Sequence, residues 1–293
     1  MRIAVAGASG LIGTALVDAL RADGHDVLQL VRRAPTHAGE VQWDPDQPLD
    51  PALLAGVEAA VCLSGAGVGD KRWSESYKRT LVDSRVHPTH TLATALAALD
   101  PKPAVFLSGS AIGYYGDHGE SPIDETAGPG DDFLARLTVR WEAAAAPAEE
   151  AGIRVAYLRT GLVVSSKGGA WGRLFPIFKL GAGGKLGNGR QYWSFISISD
   201  HVRAMQFLLT ADVSGPVNLT GPEPVTTAEV TRAMGKVLHR PTLLPAPAFG
   251  LKLVLGEFST ETLRSQRVLP AVLQKAGFSF EHPTIEAAIR AAL

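Results

Sequence analysis

Residues 1–14, MRIAVAGASGLIGT, run from a short apolar segment through a glycine-rich turn into a helical pattern. Residues 2–6 have the composition of a fully buried strand, and the apolar residues after the turn recur at helical spacing. Gly7, Gly10 and Gly13 lie between these two predicted elements. A strand, a G-x-x-G-x-x-G turn and a helix in this order form the opening unit of a Rossmann-type, doubly wound parallel sheet.

The rest of the N-terminal half repeats this alternation of strand and helix. An alanine-rich helix is predicted from about Asp132, and Pro147 must kink or end it because proline cannot donate the next backbone hydrogen bond. Repeated βαβ units indicate a parallel sheet of the α/β class. The further predicted strands are residues 26–31, 41–43, 59–63, 104–107 and 153–158.

The composition changes after Gly161, and from there we predict a smaller C-terminal lobe. Residues 167–189 hold eight glycines, which indicates a long functional loop. A helix follows, and Ser199 and Asp200 are its predicted cap. The predicted boundaries are residues 1–165 for the Rossmann domain, with the segment 195–213 returning to it, and residues 166–293 for the lobe that holds the substrate.

Charge and composition exclude several classes of protein. The 28 Lys and Arg residues balance the 29 Asp and Glu residues, so we expect neither nucleic acid nor a membrane as a partner. Cys62 is the single cysteine and no His/Cys cluster has zinc spacing, so we predict neither an internal disulfide nor a metal site. No signal-peptide pattern and no apolar run of roughly 18 residues is present. We therefore expect a soluble, cytoplasmic protein.

Each glycine of the opening turn has a role in binding a dinucleotide. Gly7 allows the tight turn, Gly10 lets the backbone approach a pyrophosphate, and Gly13 lets the helix pack closely on the sheet. Free N–H groups at the start of the helix favour phosphate. A tight turn without a ligand is the alternative. The positions predicted to contact the cofactor here are Gly7, Ser9, Gly10, Leu11, Ile12 and Gly13.

Arg32 and Arg33 follow the second predicted strand, about 20 positions after Gly13, where an acidic residue would bind the ribose of NAD. A carboxylate would repel a 2′-phosphate, whereas a guanidinium can bind it through two hydrogen bonds. The alternative is that both arginines are solvated charges at a strand end. We predict NADP(H) as the cofactor.

Several motifs along the chain resemble the extended and atypical short-chain dehydrogenases/reductases, in particular the nucleoside-diphosphate-sugar epimerase-like group. The resemblance covers essentially the whole chain, and together the motifs are far more specific than the glycine turn alone. The motifs are AGASGLIG, LSGAGV, KRWSESYKRTLVDSRV, SGSAIGYYG, LRTGLVVSSKGGA and LGEFSTETLRSQRVLPAVLQKAGF.

The resemblance implies roles for two further segments. It places Ser108 beside the nicotinamide half, and it gives Ser110 the role of the Ser/Thr that hydrogen-bonds the substrate hydroxyl. Alternatively, both serines satisfy backbone groups at a strand-to-loop turn. The segment that the resemblance places along the cofactor's ribose and phosphates is Leu63, Ser64, Gly65 and Ala66.

The chain departs from the family at the catalytic pair. Active members carry Tyr-x-x-x-Lys on the helix after the fifth strand, and the tyrosine exchanges the proton. Aligning Glu142 with the acidic residue that often follows this lysine places Leu134 at the tyrosine position and Thr138 at the lysine position. Neither side chain can move a proton at neutral pH, so the usual pair is absent.

Other residues are candidates for the missing chemistry. Tyr114 or Tyr115 could place a phenol near the nicotinamide, with Lys78 or Lys179 approaching from elsewhere; packing of both tyrosines in a loop is the alternative. His201 is interpreted as a first-turn surface residue rather than a base. Further candidates for the cleft are Trp73, Arg79 and Arg85, whose charges a solvated helix face would explain equally well, and Trp171, Arg190, Gln191 and Trp193.

Two functional hypotheses follow from the sequence. The first is an oxidoreductase or sugar-nucleotide epimerase-like enzyme that uses NADP(H) on a small polar, nucleotide-linked substrate. The second is a non-catalytic NADPH-binding sensor or scaffold that kept the cofactor site. The absent pair favours the second hypothesis, and the glycine turn with a two-lobed layout favours a ligand in the cleft.

Overall fold

A computed structural model describes residues 1–244, Phe249 and residues 256–293 of the chain. Leu255, the first residue of the C-terminal family motif, lies outside the described residues. The strands are β1 (Arg2–Ala6), β2 (Asp26–Val31), β3 (Glu40–Gln42), β4 (Ala59–Cys62), β5 (Val105–Ala111), β6 (Pro122–Ile123), β7 (Arg154–Thr160), β8 (Leu162–Val164), β9 (Tyr192–Trp193), β10 (Phe195–Ser197), β11 (Gly215–Leu219), β12 (Val225–Thr226) and β13 (Arg267–Val268). The α-helices are α1 (Leu11–Ala22), α2 (Glu75–Ala97), α3 (Phe133–Ala143), α4 (Ala146–Glu150), α5 (Gly169–Lys179), α6 (Ile198–Thr210), α7 (Thr227–Leu238), α8 (Ser259–Leu263), α9 (Ala271–Lys275) and α10 (Ile285–Ala291).

Seven parallel strands form the main sheet, in the order β11-β7-β5-β4-β1-β2-β3. The order reverses between β1 and β4, because β1 pairs with β2 on one side and with β4 on the other. In an open α/β sheet the ligand crevice lies beyond the carboxyl ends of the strands at such a reversal. The predicted Rossmann-type doubly wound sheet is confirmed, and its crevice begins directly after Ala6 and Cys62.

Both faces of the sheet are covered by helices, which explains why its central strands are continuous apolar runs. Residues from Ile3 to Ala6 are completely buried. Their alternate side chains point to opposite faces, so that Ile3 and Val5 pack with α1 and α6, whereas Ala4 and Ala6 pack with α2. The sheet thereby holds the ends of β1, β4 and β5 in fixed relative positions.

The chain returns to the sheet after the lobe has begun. Helix α6 packs beside α1 on the same face of the sheet, through Val202, Met205 and Leu208. Strand β11 then pairs with β7 in parallel, from Gly215 opposite Ala156 onward. The Rossmann layer therefore includes chain up to Leu219.

The prediction of one long loop over residues 167–189 is wrong, because α5 occupies residues 169–179. Its buried residues Trp171, Phe175 and Phe178 have helical spacing, and they pack against α7 and α10 in a separate apolar core. The eight glycines obscured this three-residue pattern in the sequence. None of the described helices is both long enough and apolar enough to cross a membrane.

Candidate functional site

Two glycines of the opening turn are required by the packing of the fold itself. Gly7 has a φ of +79°, and a Cβ there would lie 2.6 Å from the carbonyl carbon of Leu63. A Cβ on Gly13 would lie 2.1 Å from the carbonyl oxygen of Gly7. Both distances are too short for real atoms, so the turn, the start of α1 and the loop after β4 approach each other only with glycine at these positions.

Gly10 differs from the other two because no neighbouring protein atom requires it to be glycine. Its φ is −76°, and the atom nearest to a Cβ there would be the Gly7 oxygen at an ordinary 3.4 Å. It precedes α1, which has no side-chain cap and no acidic residue in its first turn. Among the described residues, the N–H groups of Leu11 and Ile12 have no partner. This arrangement suits an oxyanion held by the helix N-terminus.

The loop after β4, residues 63–66, lies directly against this turn. Leu63 donates its N–H to the carbonyl of Ala6 at 2.9 Å, and this hydrogen bond extends the pairing of β4 with β1 by one residue. Ala66 is held on both sides: its N–H donates to Ser84 Oγ at 3.0 Å and its carbonyl accepts from Arg85 Nη2 at 2.9 Å. The four predicted residues Leu63 to Ala66 and the glycine turn therefore line one continuous edge of the crevice.

The two arginines after β2 are in different surroundings. Arg33 donates to both carboxylate oxygens of Glu40, at 2.8 and 2.5 Å, and this guanidinium lowers the pKa of Glu40 to about 2. No described carboxylate pairs with Arg32, which instead lines an open depression of about 520 Å³ together with Gln42, Trp43 and Asp44. The structure thus leaves Arg32 available to a ligand and commits Arg33 to Glu40.

Ser110 lies at the end of β5, buried beside an ion pair. Its hydroxyl donates to Glu142 Oε1 at 2.6 Å. Arg159 of β7 holds the same carboxylate at both oxygens, with Nε 2.8 Å from Oε1 and Nη2 2.9 Å from Oε2. Ser108 is also buried, and its hydroxyl has no partner among the described residues.

Arg159 extends this network to both tyrosines. Its Nη1 donates to the Tyr115 hydroxyl at 3.0 Å, which in turn donates to Asn218 Oδ1 at 2.7 Å. Burial raises the pKa of Tyr115 to about 12, so this phenol is a poor proton donor or acceptor. Tyr114 is half-buried, and the centroid of its ring lies 3.5 Å from Arg159 Cζ. Of the two predicted phenols, Tyr114 is the one with its hydroxyl free of described partners.

The helix positions that match the catalytic pair are used for packing. A Cβ on Gly113 would lie 3.4 Å from Leu134 Cβ and 4.0 Å from Thr138 Oγ1, so both residues face the turn after β5. Thr138 is 1% exposed, and its hydroxyl donates to the carbonyl of Leu134 at 2.7 Å. No group able to exchange a proton lies at either position.

The interpretation of His201 as a surface residue is wrong. It is completely buried on the inner face of α6, with Nε2 3.1 Å from Thr160 Oγ1. Burial lowers the pKa of His201 to about 3, so the ring is neutral. The predicted cap is also corrected, because Ser197 caps α6 by accepting the N–H of Asp200 at 3.0 Å.

Asp200 instead ties the chain near the C-terminus to α6. Its two oxygens accept the N–H groups of Glu281 and His282, each at 2.8 Å. The side chains of these three residues lie close enough to hold a cation. The carboxylate of Asp200 already accepts several hydrogen bonds, which explains its burial without a metal.

Four of the residues predicted to face the substrate do not form one surface. Trp171 is completely buried and Trp193 is 7% exposed, and the two rings pack edge to face at 6.2 Å in the core of the lobe. Gln191 is buried and donates to the carbonyl of Leu186, whereas Arg190 is exposed. The prediction that the two tryptophans line the cleft is wrong, because aromatic spacing in α5 and β9 serves packing.

Residues at the start of α2 and just before it contact the segment that begins at Gly256. Trp73 packs against Phe133 and Phe258, with ring centroids 5.2 and 5.9 Å apart, and Lys78 pairs with Glu257 at 2.8 Å. Lys179 and Arg79 are exposed. Sequence reasoning missed Arg159, which directly follows the predicted strand 153–158 and is buried against Glu142 in the structure.

Comparison with known proteins agrees with this geometry. The NAD dependent epimerase/dehydratase family matches residues 3–220, and a domain of unknown function, DUF1731, matches residues 246–292. The epimerase family protein Mb2239 of Mycobacterium bovis is 47% identical over 290 residues, which cover 98% of this chain and 96% of that protein.

Solved structures give the same result. The human epimerase family protein SDR39U1, crystallised with NADPH, is 31% identical with a TM-score of 0.93, over 100% of this chain and 99% of that one. A nucleoside-diphosphate sugar epimerase from Corynebacterium glutamicum is 36% identical with a TM-score of 0.82, over 100% of this chain and 58% of that one. This chain belongs to the NAD dependent epimerase/dehydratase family, as an epimerase-like member of the atypical short-chain dehydrogenases/reductases.

Proposed function

We propose that this chain binds NADP(H) along the carboxyl edge of the sheet, with the pyrophosphate on the N-terminus of α1. The observation that carries this proposal is Gly10, where the protein has room for a side chain and the sequence has none. The uncapped first turn of α1 offers N–H groups and a partial positive charge to the phosphates. The structure of human SDR39U1 with NADPH supports the choice of cofactor.

The 2′-phosphate is assigned to Arg32 in this proposal. Arg32 has no carboxylate partner among the described residues and faces an open depression after β2, whereas Glu40 already neutralises Arg33. Arg33, which is paired with Glu40, is given no contact with the phosphate in this proposal. The remaining assigned contacts, Ser9, Leu63 to Ala66 and Ser108, follow the course of the crevice from β1 to β5.

The best-supported reaction is oxidoreduction, or an epimerase-like reaction, on a small polar substrate linked to a nucleotide. When bound, NADP(H) supplies or accepts the hydride. Ser110 donates its own proton to Glu142 and so keeps its lone pairs for a substrate hydroxyl. Tyr114 is the proposed proton donor, because it is half-buried beside this network and its hydroxyl has no partner among the described residues. The single cysteine, Cys62, suits a reducing cytoplasm.

A non-catalytic NADPH sensor is the second candidate. The observation that favours it is the pair Leu134 and Thr138, whose side chains pack on the turn after β5 where active relatives carry tyrosine and lysine. A sensor would need the cofactor edge of the crevice and no proton transfer.

An assay panel separates the two candidates. NADPH oxidation at about 340 nm and epimer formation are followed with nucleoside-diphosphate sugars, for wild type, Ser110→Ala, Tyr114→Phe and Leu134→Tyr/Thr138→Lys. We expect NADPH to bind and ordinary epimerase substrates to turn over little. Robust turnover in Ser110→Ala and Tyr114→Phe would show that these residues are misassigned. Absence of NADPH binding to the wild type would reject both candidates.

A further inference from the structure

Arg85, on α2, lies between the loop after β4 and helix α3. Its Nη2 donates to the carbonyl of Ala66 at 2.9 Å and its Nη1 to the carbonyl of Leu81 at 3.0 Å. Its Cζ lies 5.2 Å from the centroid of the Trp141 indole. A Cβ on Gly65 would lie 3.0 Å from Cζ, so the glycine lets the guanidinium approach the loop closely.

This guanidinium has no anionic partner in the described part of the chain. Its two hydrogen bonds go to neutral carbonyl groups, and no described carboxylate forms an ion pair with it. Asp70, on the loop that follows, is paired with Arg173 at 3.1 Å. Burial lowers the pKa of Arg85 to about 10, which leaves it charged at neutral pH. A partly buried cation without a counter-charge is costly, and a bound anion would reduce that cost.

Arg85 lies on the side of the crevice where the proposed function places the nicotinamide. The glycine turn contacts the loop at Leu63, at the start of residues 63–66, whereas Arg85 contacts its other end at Ala66. Trp141, beneath the guanidinium, lies against β5: a Cβ on Gly109 would lie 2.6 Å from its Cζ2. Arg85 thus lies between the ends of β4 and β5, away from the start of α1.

We propose that Arg85 binds an oxyanion of the substrate, a carboxylate or a phosphate, beside the nicotinamide end of the crevice. This inference rests on the proposed function, because it takes the cofactor to lie along the crevice. A guanidinium has five N–H donors. Two are used by the carbonyls, and the remaining three can form the two-point contact that carboxylates and phosphates accept. The substrate class is therefore an anionic small molecule.

The competing explanation is that Arg85 only clamps the Ala66 peptide. Three variants separate the two roles. Arg85→Gln keeps an N–H donor for the carbonyl and removes the charge, and Arg85→Lys keeps the charge without the planar fork. Arg79→Gln is the matched control, because Arg79 is an exposed arginine on the same helix. Thermal unfolding of all three reports whether the fold is retained.

Inorganic phosphate is the probe, titrated by calorimetry into protein saturated with NADPH. We expect saturable binding to the wild type and to Arg79→Gln, with a loss of about ten- to a hundredfold in Arg85→Gln, because a charge-assisted contact is removed. Arg85→Lys should lie between them. NADPH affinity, titrated separately, should change by less than about threefold in every variant, since the phosphates of the cofactor lie at α1.

Three results would overturn the proposal: no saturable phosphate binding by the wild type, equal phosphate affinity in Arg85→Gln, or a parallel loss of NADPH affinity in that variant. The last result would assign Arg85 to the cofactor or to the loop alone. If the wild type binds no NADPH, the proposed function fails. The same phosphate titration without cofactor then still decides whether Arg85 binds an oxyanion.

Discussion

The start of α1 and the end of β5 lie at the same edge of the sheet, but most of the polar groups at β5 have partners among the described residues and those at α1 do not. At α1, the N–H groups of the first turn and the Arg32 side chain have no partner among the described residues. At β5, Ser110, Glu142, Arg159 and Tyr115 already hydrogen-bond one another.

This difference agrees with the proposal that the α1 half of the crevice binds the phosphates of the cofactor. Free N–H groups at the start of α1, beside a glycine that packing does not require, fit the proposed phosphate site. A closed network of buried charge and hydroxyl groups indicates a site that supports the fold first, because each member would be costly to leave unpaired. A substitution in the β5 half should therefore change mainly the free energy of unfolding, and one in the α1 half should change mainly the affinity for NADPH.

The largest expected effect is at β5. Glu142→Ala leaves the buried Arg159 without its carboxylate, and we expect a loss of about 3–5 kcal/mol in the free energy of unfolding. Urea denaturation measures the loss, with Glu150→Ala, an exposed acid at the end of α4, as control. A loss below about 1 kcal/mol, typical of a surface pair, would show that the network does not support the fold.

At α1, Gly10→Val should weaken NADPH binding about a hundredfold or more, which is roughly 3 kcal/mol. The free energy of unfolding should fall by only about 1 kcal/mol, because the protein leaves room at this helix cap. Gly13→Ala is the opposite case: its Cβ would overlap the Gly7 oxygen, so stability should fall by about 1–3 kcal/mol or more. Retained NADPH affinity in Gly10→Val would show that no phosphate lies there.

The two arginines after β2 allow a second comparison, within the half of the crevice that is proposed to bind the cofactor. Arg32→Ala should lower NADPH affinity about ten- to a hundredfold and leave NADH affinity unchanged, because only the 2′-phosphate contact is lost. Arg33→Ala should lower NADPH affinity by less than about threefold, since Glu40 already neutralises the Arg33 charge. Calorimetry on both variants decides. Equal wild-type affinities for NADH and NADPH, or equal losses in both variants, would contradict the assignment.

A further prediction concerns His201, which is buried on α6 beside Thr160. Its folded pKa of about 3 is below the ordinary value of 6.5, so the unfolded chain binds a proton that the native chain does not. Stability must then fall as pH falls below 6.5, by about 2 kcal/mol between pH 7 and pH 5. Urea denaturation at both pH values tests this, and His201→Gln, which keeps a polar group for Thr160, should reduce the pH dependence. An unchanged slope in that variant would place the protonation elsewhere.

The sheet could be predicted closely from the sequence because its strands are short apolar runs between turn signals. β2 was predicted at residues 26–31 and is observed there, and the predicted β4 differs by one residue. The prediction failed for α5, where glycines flank the helix, and for His201, where one polar residue lies on an apolar helical face. In both cases the local composition indicated exposed residues, but packing against elements distant in the sequence buries them.

The sequence by itself determined the class of fold, the glycine turn with its helix, the motifs of the family and the loss of the Tyr-x-x-x-Lys pair. These features are local, since each depends on residue types at short spacing along one segment. Only the tertiary structure decided that Arg33 is held by Glu40 while Arg32 is not, and that Arg85 has no acidic partner in the part of the chain that the structure describes. A charge is neutralised by whatever the fold brings within a few ångströms of it, and spacing along the chain does not contain that distance.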